Sequence, residues 1–195
     1  MARSQACTAA VISAQVVGGQ AERVAGQGGE AEKGALGAHR PTLPGAPGVL
    51  RRHPQAEGIL VDLPGTVARA GDVIESFGVS GRVTVKAQSF FDPLPAGADL
   101  YLLKSVLNDW ADEPTVAILR RCAEAARSDG AIAVLGGVSA DETPRLLGID
   151  MLVAGGKTST LTQFTELARQ AGLEVVAART QSSGRFVVEC QPVEP

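Results

Sequence analysis

The chain has 195 residues, 45% hydrophobic and 20% charged, with a formal net charge of −3; that composition fits a soluble globular protein with room for one sizeable core. The slight acidic balance excludes a general electrostatic nucleic-acid binder, which needs a Lys/Arg surplus against phosphate, and no apolar run approaches the length of a membrane span. Three cysteines (Cys7, Cys122 and Cys190) are too few and too scattered for a disulfide framework or a zinc site, so a reduced, cytoplasmic setting is expected.

The N-terminal text is unlike the rest. Ser13 and Gln15 interrupt the apolar stretch Ala6–Val17, which makes a poor secretory leader. Within it, Val11–Val17 reads equally as an isolated strand or half a helix. All seven aromatic residues lie at or after Phe77, whereas the first 48 residues hold nine of the 23 glycines, so the material for a core lies in the second part. From Gly18 to Gly48 the composition is Gly, Ala, Gln, Glu and Pro without apolar periodicity. Such text cannot offset an ordering entropy of about 1–2 kcal/mol per residue. Residues 1–48 are therefore expected to be low-complexity and disordered, and 49–195 to form the folded domain.

Beyond Val49 strands and helices alternate. Gly58–Leu63 is a short apolar run closed by Pro64-Gly65, the pattern of a buried parallel strand. Apolar residues at helical spacing over Thr66–Phe77 predict a helix, and the alternation of Arg82–Ala87 a strand. Leu100–Leu107 starts as a strand. Asp112-Glu113-Pro114 opens a helix over Glu113–Ala126, with Asp112 as its cap and Pro114 in its first turn. Asp129-Gly130 turns into the strand Ala131–Leu135. A further helix, from about Thr160 to Ala171, stops at Gly172, and the strand Leu173–Ala178 follows. Ser182-Ser183-Gly184 returns the chain into Arg185–Cys190, so the last two strands pair as a hairpin. The alternation predicts an α/β fold, a mostly parallel sheet covered on both faces and finished by an antiparallel hairpin.

In an open α/β sheet, ligands bind beyond the carboxyl ends of the strands, and three such ends carry polar residues. Asp62 can accept both hydroxyls of a ribose, or start the turn into Leu63-Pro64-Gly65. After the second strand come Ser89 and Phe90, whose ring can stack on a base or plug the core. Lys104, Asn108, Asp109 and Trp110 follow the third; a lone Trp is commonly a packing anchor.

Four blocks in this order resemble a known family: VDLPGTVARA (Val61–Ala70), SFFDPLPAGADLYLLKSVLNDWADE (Ser89–Glu113) with AILRRCAEAARSDG (Ala117–Gly130), MLVAGGKTSTLTQFTELARQAGLEVV (Met151–Val176), and SGRFVVEC (Ser183–Cys190). They look like the S-adenosylmethionine-dependent O-methyltransferases of caffeate/acetylserotonin type, especially the actinobacterial branch acting on aromatic polyketides. The resemblance covers about residues 49–195. It implies a Rossmann-like methyltransferase sheet, S-adenosyl-L-methionine as cofactor, and a small aromatic substrate. By the same resemblance Asp62 holds the cofactor ribose, Ser89 and Phe90 border the adenine, Lys104 lies near the cofactor, and Trp110 is the tryptophan of the family's His-x-Trp element.

The departures from the family's pattern concern the base and the first strand. Asn108 stands in the place of the family's general-base histidine, Gly136 where many relatives have an acidic residue that orients it, and Thr158 where a second one stands. An amide cannot take a proton. Direct displacement at a sulfonium methyl can nevertheless proceed largely by positioning, since a general base typically contributes about 10²–10⁴-fold. Asp109 and Asp112 are candidate substitutes, with solvated or capping roles as the plainer reading. Upstream, the text before Leu50 has no Gly-x-Gly at the family's distance, and Gly18-Gly19 after Val16-Val17 lies too far away. The family's N-terminal helical domain, which forms the homodimer, has no counterpart in residues 1–48, as an alternative start or a reading-frame change would produce. The expectation is a catalytic domain incomplete at its first strand. The alternatives are an inactive remnant of the fold, an interaction protein, or a methyltransferase-like enzyme doing non-methylating chemistry. A dehydrogenase is disfavoured, because no Gly-x-Gly-x-x-Gly precedes Asp62.

Overall fold

The computed structural model describes residues 8–13, 49–50, 53–68, 70–141, 157–182 and 184–193. Its centre is a seven-stranded sheet in the order β3-β2-β1-β4-β5-β9-β8. The strands are β1 (Thr8–Ser13), β2 (Glu57–Asp62), β3 (Val83–Ala87), β4 (Leu100–Lys104), β5 (Ala131–Leu135), β8 (Leu173–Thr180) and β9 (Phe186–Pro192). Strands β1 to β5 run parallel, and β9 pairs antiparallel with β5 and β8. β6 (Val138–Ser139) and β7 (Ser159–Thr160) pair in parallel as a separate two-stranded sheet.

The expectation of a missing first strand is corrected. Thr8–Ser13 fills the central position, pairing with β2 on one side and β4 on the other. Its text, TAAVIS, lacks the family's flanking glycine pattern but supplies consecutive backbone donors and acceptors, which is what the two neighbouring ladders require. The disorder expected over the remainder of residues 1–48 lies outside the described residues, Val49 and Leu50 apart from it.

Each strand splits its residues between two faces, as the period of two demands. Tyr101 and Leu103 of β4 join Ile132 and Val134 of β5 and Val188 and Cys190 of β9 in the main core. Helices α3 (Asp112–Ala125) and α4 (Leu161–Gln170) cover that face with Ile118, Leu119, Cys122, Phe164 and Ala168. On the other side Leu60 meets Leu50, Ala56, Ala70, Ile74 and Val79. The helix expected over Thr66–Phe77 is instead two short ones, α1 (Pro64–Val67) and α2 (Ala70–Ser76). Pro64 starts the first turn earlier than apolar spacing indicated, since its ring is preset for that position.

The cap of α3 also differs. Its N-cap is Ala111, without a side-chain bond, while Asp112 lies inside the first turn and pairs with Lys157 at 2.5 Å. The carboxylate favours the helix N-terminus in either place, but here its partner is a cation from a distant segment. By contrast α4 carries a capping box. The Thr160 hydroxyl accepts from the Gln163 N–H, and the Gln163 side chain accepts from the Thr160 N–H. Gly172 follows α4 at φ +79, the left-handed position expected of it.

Candidate active site

The strand registers bring one end of five strands level. Ser13 lies opposite Lys104, Lys104 opposite Leu135, and Asp62 opposite Ala87. The strand order reverses between β1 and β4, and a crevice at that switch point is where a doubly wound sheet binds ligands. On the β2–β3 side stand Asp62 and Ser89; on the β4–β5 side stand Lys104, the turn that follows it, and Gly136.

Asp62 is 2% exposed, and its Oδ1 accepts the Leu63 N–H at 2.7 Å. A buried carboxylate at the end of a strand retains acceptor capacity for hydroxyl donors. Ser89 is half-buried, and its Oγ accepts the Phe91 N–H at 3.2 Å, which folds the loop after β3. Phe90 is 2% exposed and belongs to the main core, the packing role that the sequence left open for it. Phe91, packed against the same core, meets Trp110 edge-on, centroids 5.0 Å apart. The Trp110 Nε1–H is buried and has no acceptor among the described residues.

Lys104 ends β4, 8% exposed, and burial together with the nearby Arg185 charge holds its pKa below the usual lysine value. Ser105 follows in the left-handed region at φ 55, and its N–H bonds Leu135 O at 2.8 Å. A cleft of about 240 Å³ opens here, lined by Lys104, Ser105, Leu135, Gly136, Val138 and Phe186 with Arg185 at its rim. Arg185 is a site residue that sequence reasoning missed. It lies before β9, and only the antiparallel return of that strand carries it to the carboxyl end of β5.

The three positions expected to replace a base apparatus do converge. Asn108 sits in the 3-10 turn Leu107–Asp109. The Lys157 N–H donates to Asn108 O at 3.0 Å and the Ser159 N–H to Gly137 O at 2.9 Å, so Thr158 runs between those two contacts. Gly136 has φ +91 and Gly137 has φ +83, and a Cβ on Gly137 would lie 2.8 Å from Asn108 N. An L-residue is strained at both positions as this chain folds. The Asn108 Nδ2 donates to Asp109 Oδ1 at 2.7 Å. Asp109 is half-buried, and burial, with the Asp62 charge adding to it, raises its pKa from 3.8 to about 7. It is therefore not the solvated carboxylate that its sequence context implied. His53 is exposed and precedes β2, at the end opposite the site. His39 lies outside the described residues.

Residues 45–174 match the model of the O-methyltransferase domain. This chain belongs to the O-methyltransferase family. Among its relatives, it is 47% identical over 133 residues to 2,7-dihydroxy-5-methyl-1-naphthoate 7-O-methyltransferase of Streptomyces carzinostaticus, covering 67% of this chain and 40% of that one. It is 39% identical over 139 residues to aclacinomycin 10-hydroxylase RdmB of Streptomyces purpurascens, covering 68% and 37%. The crystal structure of the O-methyltransferase NcsB1 from neocarzinostatin biosynthesis, in complex with S-adenosylmethionine and 2-hydroxy-5-methyl naphthoic acid, superposes with a TM-score of 0.68 at 42% identity, over 75% of this chain and 44% of that one. The chain spans about two fifths of the length of the curated relatives it matches. S-adenosylmethionine is the family's cofactor. Among the described residues no helix is long and apolar enough to cross a membrane.

Proposed function

We propose that this O-methyltransferase-family chain transfers a methyl group from S-adenosylmethionine to a phenolic hydroxyl of a small polyketide-type aromatic acceptor, in the cytoplasm and in secondary metabolism. The observation that carries the reading is the gathering of Asp62, Lys104 and Asn108 at the carboxyl ends of β2 and β4, flanking the switch point of the sheet. The described residues suit the cofactor: a buried carboxylate for ribose hydroxyls at Asp62, a hydroxyl at Ser89, and an indole N–H at Trp110 without an acceptor of its own. When bound, S-adenosylmethionine supplies an activated methyl group.

What the chain contributes is orientation and charge. Asp62 holds hydroxyl donors in a fixed place, because its own Oδ1 is anchored by the Leu63 N–H. The cleft between β4 and β5 suits a planar acceptor, with Leu135, Val138 and Phe186 for its apolar body and the Lys104 and Arg185 cations for an anionic edge such as a carboxylate. Lys104 and Arg185 also draw the acceptor oxygen's charge outward, which favours an ionised phenol.

Calorimetric titration with S-adenosylhomocysteine, followed by assay with 1,4-dihydroxy-2-naphthoic acid and related phenols, tests the reading. Micromolar binding and a methylated product are expected, and Asp62→Ala should weaken binding about 10- to 100-fold, the cost of losing charge-assisted hydrogen bonds. A folded chain that binds no S-adenosylhomocysteine would overturn the proposal. The likeness to RdmB favours one second reading, non-methylating chemistry on the same scaffold. An oxidised rather than methylated product would identify it.

A further inference from the structure

We propose that Arg185 is a specificity-determining residue, whose guanidinium binds a carboxylate carried by the aromatic acceptor. The inference rests on the methyl-transfer reading and deepens it, from phenols in general to hydroxyaryl carboxylates. Arg185 and Lys104 line the same cleft at the ends of β4 and β5. The backbone alone puts Arg185 there. The Gln181 N–H donates to Arg185 O at 2.8 Å, the Gly184 N–H donates to Gln181 O at 2.8 Å, and Gly184 turns the chain at φ +76. From that turn β9 runs back along β5 with Val187 opposite Leu135, so Arg185 lies beyond the carboxyl end of β5.

The other described arginines each donate to a carbonyl or carboxylate oxygen. Arg179, on the same hairpin, pairs with Glu189. Arg185 makes no ion pair and no side-chain hydrogen bond among the described residues. Nor does the cleft supply a counterion, since no acid stands in its lining of Lys104, Ser105, Leu135, Gly136, Val138 and Phe186. Two cations sharing a small cleft repel one another, and a bound anion relieves that repulsion. The apolar walls of Leu135, Val138 and Phe186 suit an aromatic body beside the anion rather than a bare inorganic ion. Lys104 is 8% exposed whereas Arg185 is open to solvent, so an entering acceptor reaches Arg185 first.

A guanidinium meets a carboxylate with two parallel N–H donors, a match that a single phenol or ketone oxygen cannot offer. The pairing anchors one edge of the ring system and so limits which hydroxyls reach the methyl group. Arg185 binds and orients, and takes no part in making or breaking bonds. S-adenosylmethionine also carries a carboxylate; the two sources are told apart by which ligand's affinity depends on Arg185.

The test uses the full chain and two acceptors that differ in one group, 1,4-dihydroxy-2-naphthoic acid and 1,4-dihydroxynaphthalene. With S-adenosylhomocysteine present, calorimetry should show Arg185→Gln binding the acid about 10- to 100-fold more weakly than wild type does. The ratio of kcat/KM for the acid to that for the neutral phenol should fall by a similar factor, mainly through KM. Arg185→Lys keeps the charge but not the fork, and should lie between the two proteins. Arg185 is exposed and outside the core, so circular dichroism should show all three proteins folded alike. Wild type that binds the neutral phenol as tightly as the acid, or an Arg185→Gln variant that binds the acid as wild type does, overturns the role of Arg185. Loss of S-adenosylhomocysteine affinity by the same factor assigns the site to the cofactor's carboxylate and overturns it too. Wild type that binds the acid through Arg185 but methylates neither phenol overturns the methyl-transfer reading and leaves the carboxylate subsite standing.

Discussion

Asp109 is the residue whose environment departs furthest from its sequence context. Beside a tryptophan and one residue from an alanine-led helix, an aspartate reads as a capping or solvated group. The structure half-buries it and sets it near Asp62, which lifts its pKa from 3.8 to about 7. An acid with a raised folded pKa holds its proton longer in the folded state, so the contribution of Asp109 to folding stability is most favourable below pH 4 and falls as pH rises to about 7. The neutral Asp109→Asn side chain carries no such penalty. Its stability advantage over wild type should grow between pH 4 and 7, to no more than about 2 kcal/mol at the upper end once solvent screening is counted. Urea melts of both proteins at several pH values check this. Gly136 and Gly137 belong to the same scale: their positive φ angles were invisible in the text, and they strain any L-residue placed there. The two buried thiols take no part, since burial pushes Cys190 up to about 12 and Cys122 higher still.

Among the elements, the contacts that join strands to helices decide how firmly the site is held. Tyr101, fully buried on β4, brings its hydroxyl within 2.8 Å of Ala125 O at the end of α3 and 2.6 Å of Pro95 O. The single hydroxyl proton goes to one of these carbonyls, and the oxygen accepts the Ala98 N–H at 3.4 Å. Tyr101→Phe keeps the ring but strands those buried groups, so it should cost about 1–2 kcal/mol and lower Tm by a few degrees; thermal melting by circular dichroism measures it. Arg82 makes a comparable tie on the other side, donating to the carbonyls of Leu50, His53 and Ala56 and fastening the chain before β2 to the start of β3. The start of α4 near Thr160 could be read from the sequence, because the signals that bound a helix are local. The Asp112–Lys157 pair could not, because it depends on where a segment forty-odd residues later returns.

The whole molecule turns on β1. A strand paired on both sides has its backbone donors and acceptors committed to two ladders, so a proline there removes a donor and distorts both. Val11→Pro should cost about 3 kcal/mol or more and give protein that aggregates or melts without cooperativity. A variant that expresses and melts as wild type does would show that Thr8–Ser13 does not hold the centre of the sheet. The same argument makes Thr8–Ser13, set in text so unlike the rest in composition, a central part of the sheet.

The amino-acid sequence by itself determined the α/β class, the terminal hairpin, most strand positions, the family, and the strand-end residues Asp62 and Lys104, because period, turn chemistry and contiguous motifs are local. Ala131–Leu135, for instance, is bounded by Asp129-Gly130 and Gly136, and its limits could be read directly. Only the tertiary structure decided that Thr8–Ser13 completes the sheet, that Phe90 packs in the core while Phe91 meets Trp110, that Arg185 reaches the cleft, and that Asp109 lies close to Asp62. Each of those facts depends on which distant segments meet. Burial and charge proximity are set by that meeting rather than by neighbours along the chain.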